Sequence, residues 1–358
     1  MELIGNETKT PDFCPILGEC SDKSFVSTIN MSAFRLLKTL VMKLACVYQG
    51  LGALEEYSAL LLRTLTECLD PTGYTLQYIT PESIIKGDLS KRVHLLAIGG
   101  GYDLGLIEAL GSRGMANIRD FVHSGGAYLG ICSGAYFACD RIEFDKDGPL
   151  QVVGDRELKF FPGVCIGPLY NPYDYNSRKG SVVAHIGFKT PMYGHILNLA
   201  QSSTGTHTDT LISSLNGISH SSEFLTKKRD SALSQINGIQ NSEQSCNNHM
   251  LNSGYDVESR AYFHGGGQFV LDNTELNGHV QVLSRYLDLE GTPIAMVSCN
   301  VGQGRATLSG VHIEVTGEDI DDGDTLVEHL VPVLKQHQAE NNLIFKCLLQ
   351  KLNLQVKL

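Results

Sequence analysis

The segment Ala127-Tyr-Leu-Gly-Ile-Cys-Ser-Gly-Ala-Tyr136 decides the expected fold of this 358-residue chain. Its first five residues, Ala127–Ile131, predict a buried strand, and the small residues that follow Cys132 predict the start of a helix. Glycines stand two residues before and two residues after Cys132, at Gly130 and Gly134. Gly-x-Cys-x-Gly at such a junction is typical of a sharp turn that presents a nucleophile above a parallel sheet. The alternative is a buried cysteine in an ordinary strand-to-helix turn.

Strand-like and helix-like segments alternate before this segment. Short apolar runs at 44–48, 74–79 and 93–98 predict strands, and the spacing of leucines at 54–69 predicts a helix. Further helical patterns follow the glycine triplet 99–101, at 104–110 and 115–123. The alternation predicts a parallel sheet flanked by helices, with the chemistry at the carboxyl ends of its strands. Both Cys132 and the glycine triplet lie at such ends.

Short strands dominate the pattern after residue 139. Strands are predicted at 141–144, 150–153, 158–161, 181–186, 260–264, 268–271, 279–286, 294–299 and 305–309, and two helices at 325–338 and 341–352. Residues 189–256 are dense in Ser, Thr, Asn, Gly and Gln, which predicts a flexible polar insertion. Residues 1–42 have no strong periodicity and are interpreted as an N-terminal extension.

Composition excludes several classes of function. The formal net charge of −11 disfavours nonspecific binding to nucleic acid or to anionic membranes. Ten scattered cysteines without zinc-site spacing indicate reduced thiols rather than a disulfide framework. The acidic N-terminus lacks the apolar core of a signal peptide, so the sequence predicts a cytosolic protein.

A catalytic thiol needs a base, and the base needs a group that orients it. His312 follows the strand predicted at 305–309 and a turn glycine, Gly310, and it stands two residues before Glu314. Side chains at i and i+2 of an extended segment share a face, so this imidazole and this carboxylate are expected to lie together. A loop histidine beside a solvated glutamate is the alternative.

Backbone amides complete the predicted site. Acyl transfer needs donors for the oxyanion, and the amides of Gly100 or Gly101 and of Ser133 are the natural pair, one from the glycine triplet and one from the nucleophile turn. A glycine-rich turn without a ligand is the alternative.

These motifs together resemble the class I glutamine amidotransferase-like superfamily, and within it the N-terminal module of eukaryotic biotin–protein ligase. The segments that carry the resemblance are Gly99-Gly-Gly-Tyr-Asp103, Gly125-Gly-Ala-Tyr-Leu-Gly-Ile-Cys-Ser-Gly-Ala-Tyr136, Arg156-Glu-Leu-Lys-Phe-Phe-Pro-Gly163, Cys165-Ile-Gly-Pro168, Tyr175-Asn-Ser177, Tyr262-Phe-His-Gly-Gly-Gly267 and Val301-Gly-Gln-Gly-Arg-Ala-Thr-Leu-Ser-Gly-Val-His-Ile-Glu314.

The resemblance implies a flavodoxin-like parallel sheet flanked by helices, with added β-strands and the long polar insertion. It covers residues 43–317, and residues 318–358 are then a C-terminal helical segment. It implies a catalytic set of Cys132, His312 and Glu314. The pocket candidates it adds are Tyr102, Asp103, Tyr175, Asn176, Gly265 and Gly266.

Two features depart from the family pattern. His312-Ile-Glu314 stands where amidotransferases usually have His-Pro-Glu. The chain also has no tryptophan and lacks the Gly-Arg-Gly-Arg-Gly and Lys-Trp-Pro-Asn-Asp signatures of the ligase domain. No cofactor or metal site is therefore expected in this chain, since biotin and ATP would belong to that missing domain.

Three functions remain open at this point. The first is a regulatory or supporting module of a biotin–protein ligase system, with a ligase catalytic domain or biotin-acceptor carboxylase domains as partners. The second is a stand-alone amidohydrolase that acts on a small carboxamide through Cys132, His312 and Glu314. The third is a protein-interaction domain with an inert thiol.

Overall fold

The computed structural model describes residues 42–89, 92–189, 254–272 and 278–357. The predicted extension at 1–42 and the predicted insertion at 189–256 lie almost entirely outside these residues. Within the described ranges the strands are β1 Lys43–Tyr48, β2 Tyr74–Ile79, β3 Val93–Ile98, β4 Ala127–Ile131, β5 Cys139–Phe144, β6 Val152–Asp155, β7 Phe161–Gly167, β8 Val182–Phe188, β9 Val257–Phe263, β10 Gln268–Leu271, β11 Val280–Tyr286, β12 Ile294–Val301 and β13 Gly304–Ser309. The helices are α1 Glu55–Cys68, α2 Pro81–Lys86, α3 Asp103–His123, α4 Ser133–Phe137, α5 Val331–Gln336 and α6 Gln338–Lys351.

Five parallel strands form one half of the sheet, in the order β2-β1-β3-β4-β13. With β13 as the fifth strand, this is the 2-1-3-4-5 order of flavodoxin-like folds. The predicted α/β sheet flanked by helices is therefore confirmed. The carboxyl ends of β3, β4 and β13 meet at the same edge, which positions the candidate site.

The other half of the sheet is mostly antiparallel. From β13 the order continues through β12, β10, β7, β5 and β6, and a branch of β11, β8 and β9 leaves from β12. The added β-strands predicted after residue 139 are thus part of one mixed sheet. The branch brings the end of β9 against His312, through an isolated bridge between Tyr262 and His312.

Both faces of the central strands are buried, which explains their continuous apolar runs. In β1, Ala45 and Val47 pack in one core cluster and Cys46 and Tyr48 pack in the other. All five residues of β4 are buried. Helix α1 covers the first face with Leu61 and related side chains at helical spacing.

Several element boundaries differ from the predictions by two or three residues. The strand expected at 158–161 begins only at Phe161, because Leu158 and Phe160 are buried in irregular backbone. The two helices expected at 104–110 and 115–123 both lie within α3, whose backbone is non-helical at Gly111, where φ is 55°. The helix expected at 325–338 is a 3-10 turn, Glu328–Leu330, followed by α5.

The C-terminal helices pack on the same sheet. Helices α5 and α6 both contact β9, and α6 also contacts α1. The described residues from Lys43 onward accordingly form one compact unit, and the boundary at 317/318 stays a prediction. No helix within the described ranges is long and apolar enough to cross a membrane.

Candidate active site

Cys132 has a strained backbone at the junction of β4 and α4. Its φ of 52° and ψ of −107° are angles that residues other than glycine rarely adopt. The neighbouring glycines permit this turn, because a Cβ on Gly134 would lie 2.2 Å from the Ile98 carbonyl oxygen. A Cβ on Gly130 would lie 2.5 Å from the Gly134 carbonyl oxygen. Helix α4 has only five residues, so the contribution of its dipole to the thiol is smaller than a full helix would give.

The close packing of Gly134 on β3 leads to a first prediction. We expect Gly134→Ala to destabilise the fold by about 2 kcal/mol or more, because its methyl group must displace the backbone of the central sheet. The matched control is Gly278→Ala, whose Cβ would have nothing within 4 Å. Urea unfolding followed by circular dichroism measures both changes. Equal stability of the two variants would contradict the packing described here.

His312 and Glu314 are both buried, and they follow directly after β13. The Nδ1 atom of His312 lies 2.8 Å from Oε1 of Glu314, and the His312 amide donates to the Tyr262 carbonyl at 2.8 Å. The Tyr57 ring stacks on the imidazole with 4.3 Å between centroids. The carboxylate therefore holds one ring nitrogen while two tyrosines fix the ring.

The other ring nitrogen of His312 is available to the thiol. Nε2 is buried and makes no hydrogen bond of normal geometry to any described residue. The imidazole nevertheless interacts with the Cys132 side chain. Burial lowers the pKa of His312, but the Glu314 carboxylate and Cys132 outweigh it and raise the pKa to about 10. The imidazole is thus protonated at neutral pH.

The segment that carries Glu314 is tied to α1. Arg63 and Thr64 both donate to the Glu314 carbonyl, at 3.2 Å each, and the Arg63 guanidinium also pairs with Asp319. Asp319 in turn accepts from the Thr316 amide at 2.7 Å. These contacts give the His312–Glu314 segment a fixed position without the proline of the amidotransferase pattern.

The three predicted oxyanion residues take two different positions. Gly101 and Ser133 line the cavity above Cys132, and neither amide donates to an acceptor in the described part of the chain. Gly100 instead packs under the imidazole, where a Cβ would lie 2.6 Å from Cε1 of His312. The Ser133 hydroxyl donates to the Gly99 carbonyl at 2.9 Å and joins the two loops.

A cavity of about 750 Å³ opens above Cys132 and His312. Of the pocket candidates, Tyr102, Asp103, Tyr175, Asn176 and Gly265 line it. Gly266 does not, since it packs against the Gly310 carbonyl. The lining is rich in aromatic rings, which are Tyr57, Tyr102, Tyr136, Phe144, Tyr173 and Tyr175. Its size and its apolar walls are those of a small-molecule site.

A buried ion pair stands at one wall of the cavity. Nε of Arg156 donates to Oδ2 of Asp103 at 2.6 Å, and Nη1 of Arg156 donates to the Asp155 carbonyl at 2.8 Å. Both side chains are almost fully buried. Asp103 faces the cavity and Arg156 lies behind it, so the carboxylate is neutralised from the protein side. No group of three or more metal-ligating side chains is present among residues the structure describes.

His264, outside the predicted site set, also lines the cavity. It comes directly after β9, and its carbonyl accepts a hydrogen bond from the Cys132 thiol at 3.7 Å. Burial, reinforced by the nearby His312, lowers the pKa of His264 to about 4. The His264 imidazole is therefore neutral at the pH values at which His312 is charged. Tyr57, Tyr136 and Tyr173 were missed as well, although their helical or motif context was visible in the sequence.

The lowered pKa of His264 leads to a second prediction. The unfolded chain takes up a proton near pH 6.5 and the folded chain only near pH 4, so folding stability falls as the pH drops between these values. Between pH 7 and pH 4.5 we expect the free energy of unfolding of His264→Gln to fall by about 2 kcal/mol less than that of the wild type. Urea unfolding at several pH values measures this. His94→Gln, outside the cavity, is the control, and identical pH profiles for all three proteins would contradict the prediction.

The family described as "Biotin-protein ligase, N terminal" matches residues 44–209 and 231–358. The chain belongs to this family. A biotin–protein ligase of Schizosaccharomyces pombe is 28% identical over 296 residues, which cover 81% of this chain and 37% of that protein. The chain thus spans little more than a third of that relative. An uncharacterised protein of Chlamydia muridarum is 28% identical over 77% of this chain and 82% of its own length.

Solved structures described as glutamine amidotransferases also align with the chain. One is 14% identical, with a TM-score of 0.39, and covers 82% of this chain and 98% of its own. Another, from Thermotoga maritima, is 12% identical, with a TM-score of 0.37, and covers 87% and 96%.

Proposed function

We propose that this member of the biotin–protein ligase N-terminal family carries a thiol-dependent acyl-transfer site. The observation that supports it is the convergence of three strand ends on one cavity. A strained cysteine follows β4, a histidine–carboxylate pair follows β13, and the Gly101 amide, after β3, is without an acceptor within the described ranges. A nucleophile, its base and an oxyanion donor are what acyl transfer needs at one place.

In the proposed reaction the Cys132 thiol has passed its proton to His312 before the sulfur attacks. The sulfur attacks the carbonyl carbon of an amide, and the amides of Gly101 and Ser133 hold the oxyanion. His312 gives its proton to the departing nitrogen as the C–N bond breaks, which leaves a thioester on Cys132 and releases ammonia or an amine. Water then attacks the thioester, His312 takes up the proton of water, and the acid leaves as the C–S bond breaks.

Turnover of model acyl donors tests this function. The purified chain is incubated near pH 7 with primary carboxamides and with p-nitrophenyl esters, while ammonia or nitrophenol release is followed. We expect saturable release that stops once iodoacetamide has modified Cys132, as located by peptide mapping. An unreactive Cys132 together with no release from any donor would contradict the proposal and favour the inert interaction domain.

The family match favours a second role, in protein biotinylation. We propose that the chain also supports or regulates biotin transfer, by contact with a biotin ligase catalytic domain or with biotin-acceptor domains of carboxylases. The match over residues 44–209 and 231–358 supports this, together with the similarity to the S. pombe biotin–protein ligase. Biotin and ATP are expected to bind that catalytic domain.

A binding and transfer assay tests this second role. Labelled chain is titrated with a purified ligase catalytic domain and with a carboxylase acceptor domain, and the rate of biotin transfer is measured with and without the chain. We expect saturable binding to one of the two and a changed rate, both retained by Cys132→Ser. Absence of both effects, or ATP-dependent biotin transfer by the chain alone, would contradict this role.

A further inference from the structure

One wall of the cavity is formed by aromatic rings in mutual edge-to-face contact. Tyr102 meets Tyr175 at 6.2 Å between centroids, Tyr175 meets Tyr173 at 6.1 Å, and Tyr173 meets Phe144 at 5.5 Å. Tyr136 continues the row at 5.8 Å from Phe144. Desolvation raises the pKa of Tyr136, Tyr173 and Tyr175, so these three hydroxyls are uncharged at physiological pH. Such a wall favours an apolar ring over a solvated chain.

The mouth of the cavity is apolar too. Leu54, Leu104 and Leu150 line it although each is well exposed to solvent, with Leu104 exposed to 49%. Exposed leucines at the rim of a cavity mark a surface that an apolar group covers on binding. The apolar character therefore extends from the catalytic thiol to the solvent.

The cations of the cavity are already bound by carboxylates. Arg178 lines it but donates to Glu56 at 2.8 Å and to Asp322 at 2.6 Å. The His312 imidazolium is held by Glu314 at 2.8 Å. Among the lining residues that the structure describes, no other arginine or lysine is present.

Carboxylates, in contrast, face the cavity in excess. Glu56, Asp103 and Asp324 all line it. Arg156 is not among the lining residues that the structure describes; it donates to Asp103 through Nε, and its Nη2 atom is buried. A ligand carboxylate in this cavity would lose its hydration without gaining a cation, which is costly.

We infer that the acyl donor is an uncharged, ring-bearing carboxamide or related acyl compound without a carboxylate, and that free amino-acid amides such as glutamine are disfavoured. The inference rests on the proposed acyl-transfer function. A cavity of about 750 Å³ accommodates a ring together with the reacting amide. The ring lies on the tyrosine wall and the amide lies at Cys132.

Two compounds that differ only in charge test this inference. 2-(4-Nitrophenyl)acetamide and 4-(carbamoylmethyl)benzoate share the ring and the primary amide. The nitro group of the first is the uncharged isostere of the carboxylate of the second. Their affinities are measured by calorimetry on Cys132→Ser and by protection of wild-type Cys132 from iodoacetamide. We expect the nitro compound to bind at least 10-fold more tightly, and this readout is independent of turnover.

A variant of the rim provides the matched gain of function. Leu104→Arg adds an unpaired cation at an exposed lining position, and Leu104→Gln is the uncharged control. We expect Leu104→Arg to bind the carboxylate compound at least 5-fold more tightly than Leu104→Gln does, because the two variants lose the same leucine and differ in the added charge. Equal or tighter binding of the carboxylate compound to the unmodified cavity, or binding of neither compound at millimolar concentration, would overturn the inference. Preferential binding without turnover would instead leave it standing and contradict the acyl-transfer proposal.

Discussion

Replacing Cys132 by serine is expected to lower kcat/KM for acyl donors by at least about 10³-fold, the scale at which other enzymes lose activity with their nucleophile. Serine keeps the size of the side chain. His312, with its pKa near 10, is protonated at neutral pH and therefore cannot remove the proton of the serine hydroxyl. Cys132→Ala removes the nucleophile entirely and is expected to leave only background release. Steady-state kinetics with the best donor measure both variants.

The control for this experiment is Cys347→Ser. Cys347 has the same exposure as Cys132, 7%, but lies on α6, outside the cavity. We expect it to keep wild-type kcat/KM. Equal loss in both variants would show that thiol removal acts through stability, and full activity of Cys132→Ser would exclude the cysteine as nucleophile.

Replacing Glu314 by glutamine is expected to lower kcat about 10³-fold, by analogy with neutralising the orienting acid of other nucleophile–histidine pairs. Glu314 raises the pKa of His312, so its loss returns this pKa toward the ordinary value. The His312 imidazolium, which protonates the leaving group, then loses its proton at a lower pH than in the wild type. The alkaline limb of the kcat profile therefore moves to lower pH. A pH–rate profile of both proteins measures the shift.

The same substitution affects folding in a defined pH range. A raised pKa of His312 contributes stability below about pH 6.5, and this contribution is lost as the pH rises toward 10. Glu314→Gln is expected to cost about 3 kcal/mol at neutral pH, because it leaves a buried histidine without its charged partner. Glu318→Gln changes an exposed acid four residues away and is the control. An unchanged alkaline limb in Glu314→Gln would contradict the assigned role.

The parallel half of the fold was predictable because its strands are buried on both faces. The apolar runs at 44–48, 74–79, 93–98 and 127–131 coincide with β1 to β4 within one residue. Apolar residues in irregular backbone misled the prediction at 158–161, since Leu158 and Phe160 are buried without pairing in the sheet. A hydrophobic pattern indicates which residues are buried. It does not indicate which of them form the hydrogen bonds of a sheet.

The candidate site residues could be grouped from sequence because strand ends of a parallel sheet share one edge. Cys132, His312 and Gly101 each follow such a strand and are therefore expected to lie together. The positions of the strand ends do not predict which residues line the rest of the cavity. Tyr173 and His264 reach the site through loops around the antiparallel branch, whose pairing of β8 with β9 joins segments about 75 residues apart.

The role of Gly100 shows a further limit of sequence reasoning. A glycine triplet after a strand suggests amides that face a ligand, yet only Gly101 lines the cavity, whereas Gly100 makes room for His312. At Gly100 the missing side chain lets the imidazole pack against the backbone, and at Gly101 it leaves the backbone amide open to the cavity. Distinguishing them requires the position of the imidazole.

Mass spectrometry of the acylated protein tests directly whether Cys132 is the nucleophile. The chain is mixed with a p-nitrophenyl ester at pH 7, quenched in acid within seconds, and digested for peptide mapping. We expect one acyl group per chain, carried as a thioester on the peptide that contains Cys132 and absent from Cys132→Ala. Acylation spread over other side chains, or turnover without any label at Cys132, would contradict it.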